Sequence, residues 1–237
     1  MNTSHRQLLK DVESLHLNSK NGKLSLIKKT KSKVVAKAPT KKLVIKSYML
    51  KGVKIFAYRK YAIREYNNLN KAKKLGINVP TTLELYKSIS LNGVHSAVIM
   101  EEIDDSITLE EYLKVNSTIE PHIINLIGIL LTVLNQTGAN HIDLSPENIL
   151  IKKNSYDVYL IDWQYANFVK PNSKPQLFMQ MAQLIKYLSK TQSKDKIREI
   201  IQAIEKCLPS SLRYESFCET IIALSEEHLS KSRRFNV

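Results

Sequence analysis

The chain of 237 residues holds two cysteines, six glycines and one tryptophan, and each scarcity excludes something. Cys207 and Cys218 are too few for a disulfide framework in a chain this long, so a reducing cytosol is the expected compartment. Long apolar runs are also missing. The most apolar helical stretch, Ile123 to Leu134, has twelve residues and contains Asn125 and Gly128, too short to cross a bilayer. The first residues, Met-Asn-Thr-Ser-His-Arg-Gln, lead into no apolar core of signal-peptide length. A cytoplasmic protein is expected, one that could rest peripherally on the inner membrane.

Acidic residues are scarce in the first third. Residues 1–80 carry 20 Lys or Arg against Asp11, Glu13 and Glu65, a net of +17, whereas residues 81–237 carry 16 bases against 19 acids, a net of −3. A basic front on a near-neutral remainder favours polyanionic partners: nucleotide phosphates, an acidic glycolipid or anionic lipid headgroups, with nucleic acid ranked below these.

What is present divides into two regions. Leu24 to Lys28, Lys33 to Lys37 and Lys42 to Tyr48 alternate apolar and charged side chains, as half-buried strands do. Residues 1–18 form a separate helix or an irregular lead-in. Tyr58 to Leu75 reads as a helix stopped by Gly76 and Pro80. Leu83 to Ile89 and Val94 to Glu101 form a hairpin about Asn92-Gly93. Thr108-Leu-Glu-Glu111 is a capping box opening a helix over Leu109 to Lys114. Helices follow over Ile119 to Gln136, Pro175 to Ser189, Asp195 to Leu208 and Leu212 to His228. The class is therefore α+β: a small β-rich lobe with one helix over residues 1–103, then a mostly helical lobe over 104–237.

The densest chemistry lies in His141-Ile-Asp-Leu-Ser-Pro-Glu-Asn-Ile-Leu150 and in Val158-Tyr-Leu-Ile-Asp-Trp163. The pattern H-x-D-L-x-x-x-N, followed by an apolar strand ending in Asp, is the signature of a kinase-type phosphotransferase. In phosphoryl transfer the protein chiefly positions the reactants and neutralises charge. Asp143 would accept the proton of the attacking hydroxyl, or at least orient it. Asn148, five residues on, would turn back and offer its amide oxygen to magnesium, and Asp162 would add a hard carboxylate. His141 is expected to brace the loop through its ring nitrogens, and Trp163 to pack beside Asp162.

Such a site also needs a cation for the α/β-phosphates of ATP and an acid to hold it. Lys46 ends the apolar run Leu43-Val-Ile-Lys46, close to the V-A-I-K pattern. Lys41, Lys42 and Lys54 are rivals that sit less well on a strand. Glu65 is the sole acid between residues 14 and 83. Met100 and Glu101, at the end of Val98-Ile-Met-Glu101, are placed near an adenine edge.

With Leu43 to Lys46, the basic segment Lys51 to Lys60, Arg64-Glu-Tyr-Asn-Asn-Leu69, Lys74-Leu-Gly-Ile-Asn-Val-Pro80, His141 to Leu150 and Ile161-Asp-Trp in view, the chain resembles the bilobal protein-kinase-like superfamily. Within it the likeness is to bacterial lipopolysaccharide-core kinases that phosphorylate Kdo or heptose. That resemblance implies ATP and Mg2+ as cofactors and a sugar hydroxyl on an anionic glycolipid as acceptor. Departures narrow it. Lys28-Lys-Thr-Lys-Ser-Lys33 stands where a G-x-G-x-x-G loop would lie, Ile142 replaces the Arg that precedes the catalytic Asp in regulated protein kinases, and neither Asp-Phe-Gly nor Ala-Pro-Glu occurs. These absences favour a glycolipid or other small-molecule acceptor. An aminoglycoside- or choline-type kinase or a small atypical serine/threonine kinase is the alternative. A non-catalytic pseudokinase that binds polyanions ranks third.

Overall fold

The computed structural model describes residues 3–16, 24–52, 55, 61–90, 93–116, 119–227 and 234. Lys54, most of the basic segment 51–60, the start of the helix expected from Tyr58, the hairpin turn at Asn92 and the end of the last expected helix lie outside them. The chain divides into two compact units, one of residues 1–73 and 80–104, the other of residues 74–79 and 105–237.

In the first unit, α1 (Thr3–His16) precedes β1 (Ser25–Lys29), β2 (Lys33–Ala38) and β3 (Leu43–Leu50); α2 (Ala62–Lys74) then leads to β4 (Thr82–Ser90) and β5 (Gly93–Glu101). The strands form one antiparallel sheet in the order β1-β2-β3-β5-β4. Side chains alternate across a strand, and both faces of this sheet are used. Leu43, Ile45, Ala97 and Ile99 join Val34 and Ala36 in a core with Leu8, Leu9 and Val12 of α1. Val98, Met100 and Tyr48 meet Ala62 of α2 in a second core, with Val44, Tyr66 and Leu85 packed on it. Because β5 is covered on both faces, its residues from Gly93 to Met100 are all buried.

Of the two forms expected for the N-terminal stretch, the helix is the one found over Thr3–His16; it does not stand apart, because its apolar stripe Leu8, Leu9 and Val12 is buried with the sheet. Burying each such side chain contributes about 1.5–3 kcal/mol, more than enough to hold a helix that is marginal alone.

The second unit begins with residues 74–79, where the Leu160 N–H donates to the Asn78 carbonyl at 2.9 Å. It continues with β6 (Ser106–Thr108), α3 (Leu109–Val115), α4 (Pro121–Thr137), β7 (Ala139–Asn140), β8 (Ile149–Lys152), β9 (Val158–Leu160), β10 (Asn167–Phe168), α5 (Lys174–Leu188), α6 (Lys194–Cys207) and α7 (Phe217–Glu226). Strands β6, β8 and β9 form a small antiparallel sheet, and β7 pairs with β10. The expected capping box is formed: the Glu111 N–H donates to Thr108 Oγ1 at 3.0 Å, and Glu111 Oε2 accepts the Thr108 N–H at 2.8 Å. The last helix begins at Phe217 rather than Leu212, which ends a short 3-10 turn from Ser210. Cys207 and Cys218 are free thiols. No helix among the described residues is long and apolar enough to cross a membrane.

The end of α4 sets up the functional loop. Gly138 closes the helix with φ +67°, and a Cβ there would stand 2.2 Å from the Val169 carbonyl oxygen. Only glycine fits both the left-handed backbone and the close approach. The chain then reverses through Ala139 and Asn140 into His141.

Candidate active site

In the first unit, strand alternation puts Lys46 on the same face as Val44 and Tyr48, the face covered by α2. Glu65 lies on the buried side of α2 with Ala62, Leu69 and Ala72. The two therefore meet: Lys46 Nζ is 2.6 Å from Glu65 Oε1, with side-chain exposures of 6% and 2%. Tyr48 donates its hydroxyl to Glu65 Oε2 at 3.1 Å. Of the rival cations, Lys42 is exposed and pairs with Asp104 at 2.6 Å, and Lys41 is exposed in a 3-10 turn. Met100 is buried among the α2-side residues. Glu101 is exposed, and its backbone N–H donates to the Thr81 carbonyl at 2.9 Å.

Where a glycine loop would lie, the turn from Thr30 to Lys33 is closed by the Thr30 N–H donating to the Lys33 carbonyl at 2.8 Å and the Lys33 N–H donating to Thr30 Oγ1 at 3.1 Å. The turn is thus held by a threonine side chain as well as by the backbone.

In the second unit the loop 141–148 is held from several directions. His141 is buried, and its Nε2 lies 2.9 Å from the Ile161 carbonyl oxygen. Burial lowers the imidazole pKa from its ordinary value, so the ring is neutral and Nε2–H donates to that carbonyl. Trp163 packs edge-to-face on it at 5.2 Å and donates Nε1–H to the Leu160 carbonyl at 2.9 Å. The ring is thus a brace between the loop and the segment bearing Asp162, as the sequence suggested.

Asn148 donates its amide to the Asp143 carbonyl at 2.8 Å, which leaves its Oδ1 as the atom for a cation. The Asn148 carbonyl accepts the Ile161 N–H at 2.9 Å, tying Asn148 to the residue before Asp162. Asp162 itself has φ +63° and ψ +57°. A left-handed backbone is uncommon outside glycine and persists where the surroundings impose it. Asp143 keeps 28% of its side chain exposed, enough to meet a reactant. Among the described residues no group of three or more His, Cys, Asp or Glu could hold a metal ion. Asn148 and Asp162 are the two hard-oxygen side chains here that could hold magnesium, which takes one or two such groups from protein when phosphates complete its shell.

Several supporting residues carry no sequence signature. Gln176 and Gln180 of α5 donate to the Ala139 carbonyl at 2.8 and 3.1 Å, and Asn135 donates to the Ser173 carbonyl at 2.7 Å. Buried side-chain amides of this kind are seen only once the chain is folded. Beside the loop, a cavity of about 210 Å³ is lined by Pro146, Glu147, Tyr187, Lys114 and Lys190 among others. Burial and the nearby Asp143 carboxylate raise the Tyr187 pKa above its ordinary value.

The RIO domain family profile matches residues 22–200 of the chain, which includes every one of these site residues. The chain belongs to the RIO domain family. This places it in the atypical branch of the protein-kinase-like superfamily, whose mixed fold of antiparallel sheet and helical lobe it has. Among curated proteins, the KEOPS complex subunit Bud32 of Pyrococcus abyssi (strain GE5 / Orsay) is 26% identical over 140 residues, covering 56% of each chain. The RIO chain thus spans little more than half the length of that relative. Among solved structures, WaaP in complex with acyl carrier protein aligns with a TM-score of 0.58 at 12% identity, covering 87% of this chain and 88% of that one. WbdD aligns at 0.55 with 16% identity, covering 85% and 44%. These structural likenesses show the fold alone. The superfamily expected from the motifs is therefore shown, and the family within it is RIO.

Proposed function

We propose that this RIO chain is an ATP-dependent phosphotransferase whose acceptor is an alcohol. The observation that carries the reading is the joint survival of both halves of the machinery: the buried Lys46–Glu65 pair, and the braced loop that presents Asp143 with Asn148 tied to the Asp162 segment. In the proposed step the acceptor oxygen bonds to the γ-phosphorus while the bond from that phosphorus to the β,γ-bridging oxygen breaks. ADP leaves, and the hydroxyl proton passes to Asp143. Lys46, fixed by Glu65, takes the α/β-phosphates, with Met100 and Glu101 beside the base. Magnesium, when bound, neutralises phosphate charge, and Asn148 Oδ1 and the Asp162 carboxylate are the donors that would hold it.

The acceptor we favour is a sugar hydroxyl of an anionic glycolipid of the lipopolysaccharide-core type. The +17 balance of residues 1–80 supports it, as does the lack of Asp-Phe-Gly and Ala-Pro-Glu. Peripheral contact with an anionic leaflet follows from the same charge, at about 1 kcal/mol per suitably placed Lys or Arg. A second reading, a protein hydroxyl as acceptor, is favoured by the family match and by the Bud32 likeness.

The test is transfer of γ-labelled phosphate from ATP to purified core glycolipid and to a serine/threonine-rich protein substrate, by the wild type and by Asp143→Asn. Label on the glycolipid sugar, lost in the variant, supports the first acceptor; label on protein alone supports the second. Turnover unchanged in Asp143→Asn would sink the catalytic assignment.

A further inference from the structure

Arg234 is 92 residues on from Ile142, yet it is buried, with 6% of its surface exposed, against the loop that bears Asp143. Its guanidinium donates through Nη1 to the Ile142 carbonyl, and the same nitrogen lies 3.9 Å from Asp143 Oδ1. Its own backbone carbonyl accepts the Asn140 side-chain amide at 2.8 Å. Side chain and backbone of one residue therefore grip the loop on both sides of His141.

Such burial is costly. A guanidinium withdrawn from water loses hydration that only good pairing restores. Here Nε finds no partner among the described residues, and the Asp143 contact is longer than a hydrogen bond. Burial pulls the guanidinium pKa down while the Asp143 carboxylate opposes it. A charge kept buried at that cost beside the Asp143 loop points to function. It meets the backbone of Ile142, the residue that stands where regulated protein kinases carry an arginine.

We propose that Arg234 is a positioning residue for phosphoryl transfer, holding the backbone at Ile142 and the Asp143 carboxylate in the geometry that meets the acceptor hydroxyl. This rests on the phosphotransferase reading above. The polar contacts of Arg234 among the described residues are with the loop, so its loss is expected to act on turnover rather than on nucleotide binding.

The experiment uses the full chain and compares wild type, Arg234→Met, Arg234→Lys and Arg234→Ala, with and without added guanidinium ion. Turnover by Arg234→Met should fall by about 10- to 100-fold, as small misplacements of catalytic groups do, while KM for ATP stays within about twofold. Arg234→Lys should recover part of the turnover, and guanidinium should restore activity to Arg234→Ala. Hydrogen exchange at the amides of residues 141–148 should quicken in Arg234→Met while the rest of the second unit stays protected, separating a loosened loop from a failed fold. Unchanged turnover in Arg234→Met beside an active wild type overturns the inference and leaves the phosphotransferase reading standing. Faster turnover overturns it too, since Arg234 would then be a restraint on the loop. A wild type that neither transfers nor hydrolyses the γ-phosphate overturns the reading and the inference together.

Discussion

Replacing Glu65 by Leu removes the acceptor for Lys46 Nζ at 2.6 Å and for the Tyr48 hydroxyl at 3.1 Å. The ammonium that remains sits on a side chain only 6% exposed, so water cannot take the place of the carboxylate. Removing one member of a buried ion pair costs about 3–5 kcal/mol, a large share of the roughly 5–15 kcal/mol that holds a domain together. Lys46→Met, which leaves the carboxylate with the Tyr48 hydroxyl but without its cation, should cost a similar amount. The double variant behaves differently, because apolar side chains of similar volume often replace a buried pair without loss. Its residual cost is the hydrogen bond that Tyr48 makes to the Glu65 carboxylate, about 1.5–3 kcal/mol. The cycle therefore predicts that the double variant is more stable than either single one, with a coupling of about 3 kcal/mol or more. Urea denaturation followed by far-ultraviolet circular dichroism measures all four proteins. All three variants should be inactive in transfer, the stable double one included, which separates the pair's role in catalysis from its role in folding. Additive losses below about 1 kcal/mol each would refute the claim that this pair is a desolvated unit.

Stability should also fall with acid in a way that names its source. Burial lowers the pKa of His141 and of His95 from about 6.5, so the unfolded chain takes up their protons first as pH drops. Folding stability is then lost below about pH 6.5, by up to about 1.4 kcal/mol per pH unit for each ring. Thermal melts of His141→Gln across that range should be flatter than wild type, and parallel curves would exclude the assignment. Gly138→Ala should destabilise more than Gly76→Ala, although both glycines have positive φ, because an added Cβ meets the Val169 carbonyl at 2.2 Å in the first and nothing within 4 Å in the second. The strain common to both is about 1–3 kcal/mol, so equal melting shifts would show that the tight approach at the loop entrance is relaxed.

The amino-acid sequence by itself determined whatever depends on neighbours along the chain. Two-residue alternation marks the strands, the Thr108–Glu111 box marks a helix start, and Asp143, Asn148 and Asp162 keep the spacing of a kinase-type loop and its following strand. Lys46 and Glu65 were also legible, because an apolar strand and a helix with a single acid left few ways to pair them. What only the tertiary structure decided has the opposite character. The stripe of α1 is too short to declare its partner, and it becomes core only against the sheet face of Val34, Ile45 and Ile99. Gln176 and Gln180 look like solvated helix residues until Ala139 is brought to them across about 40 positions. Arg234 is one arginine among many in a basic chain until folding buries it against Ile142. Local periodicity encodes an element through short-range sterics and burial. The contacts of Arg234 with the loop cross 90 or more residues, and no pattern along the chain records them.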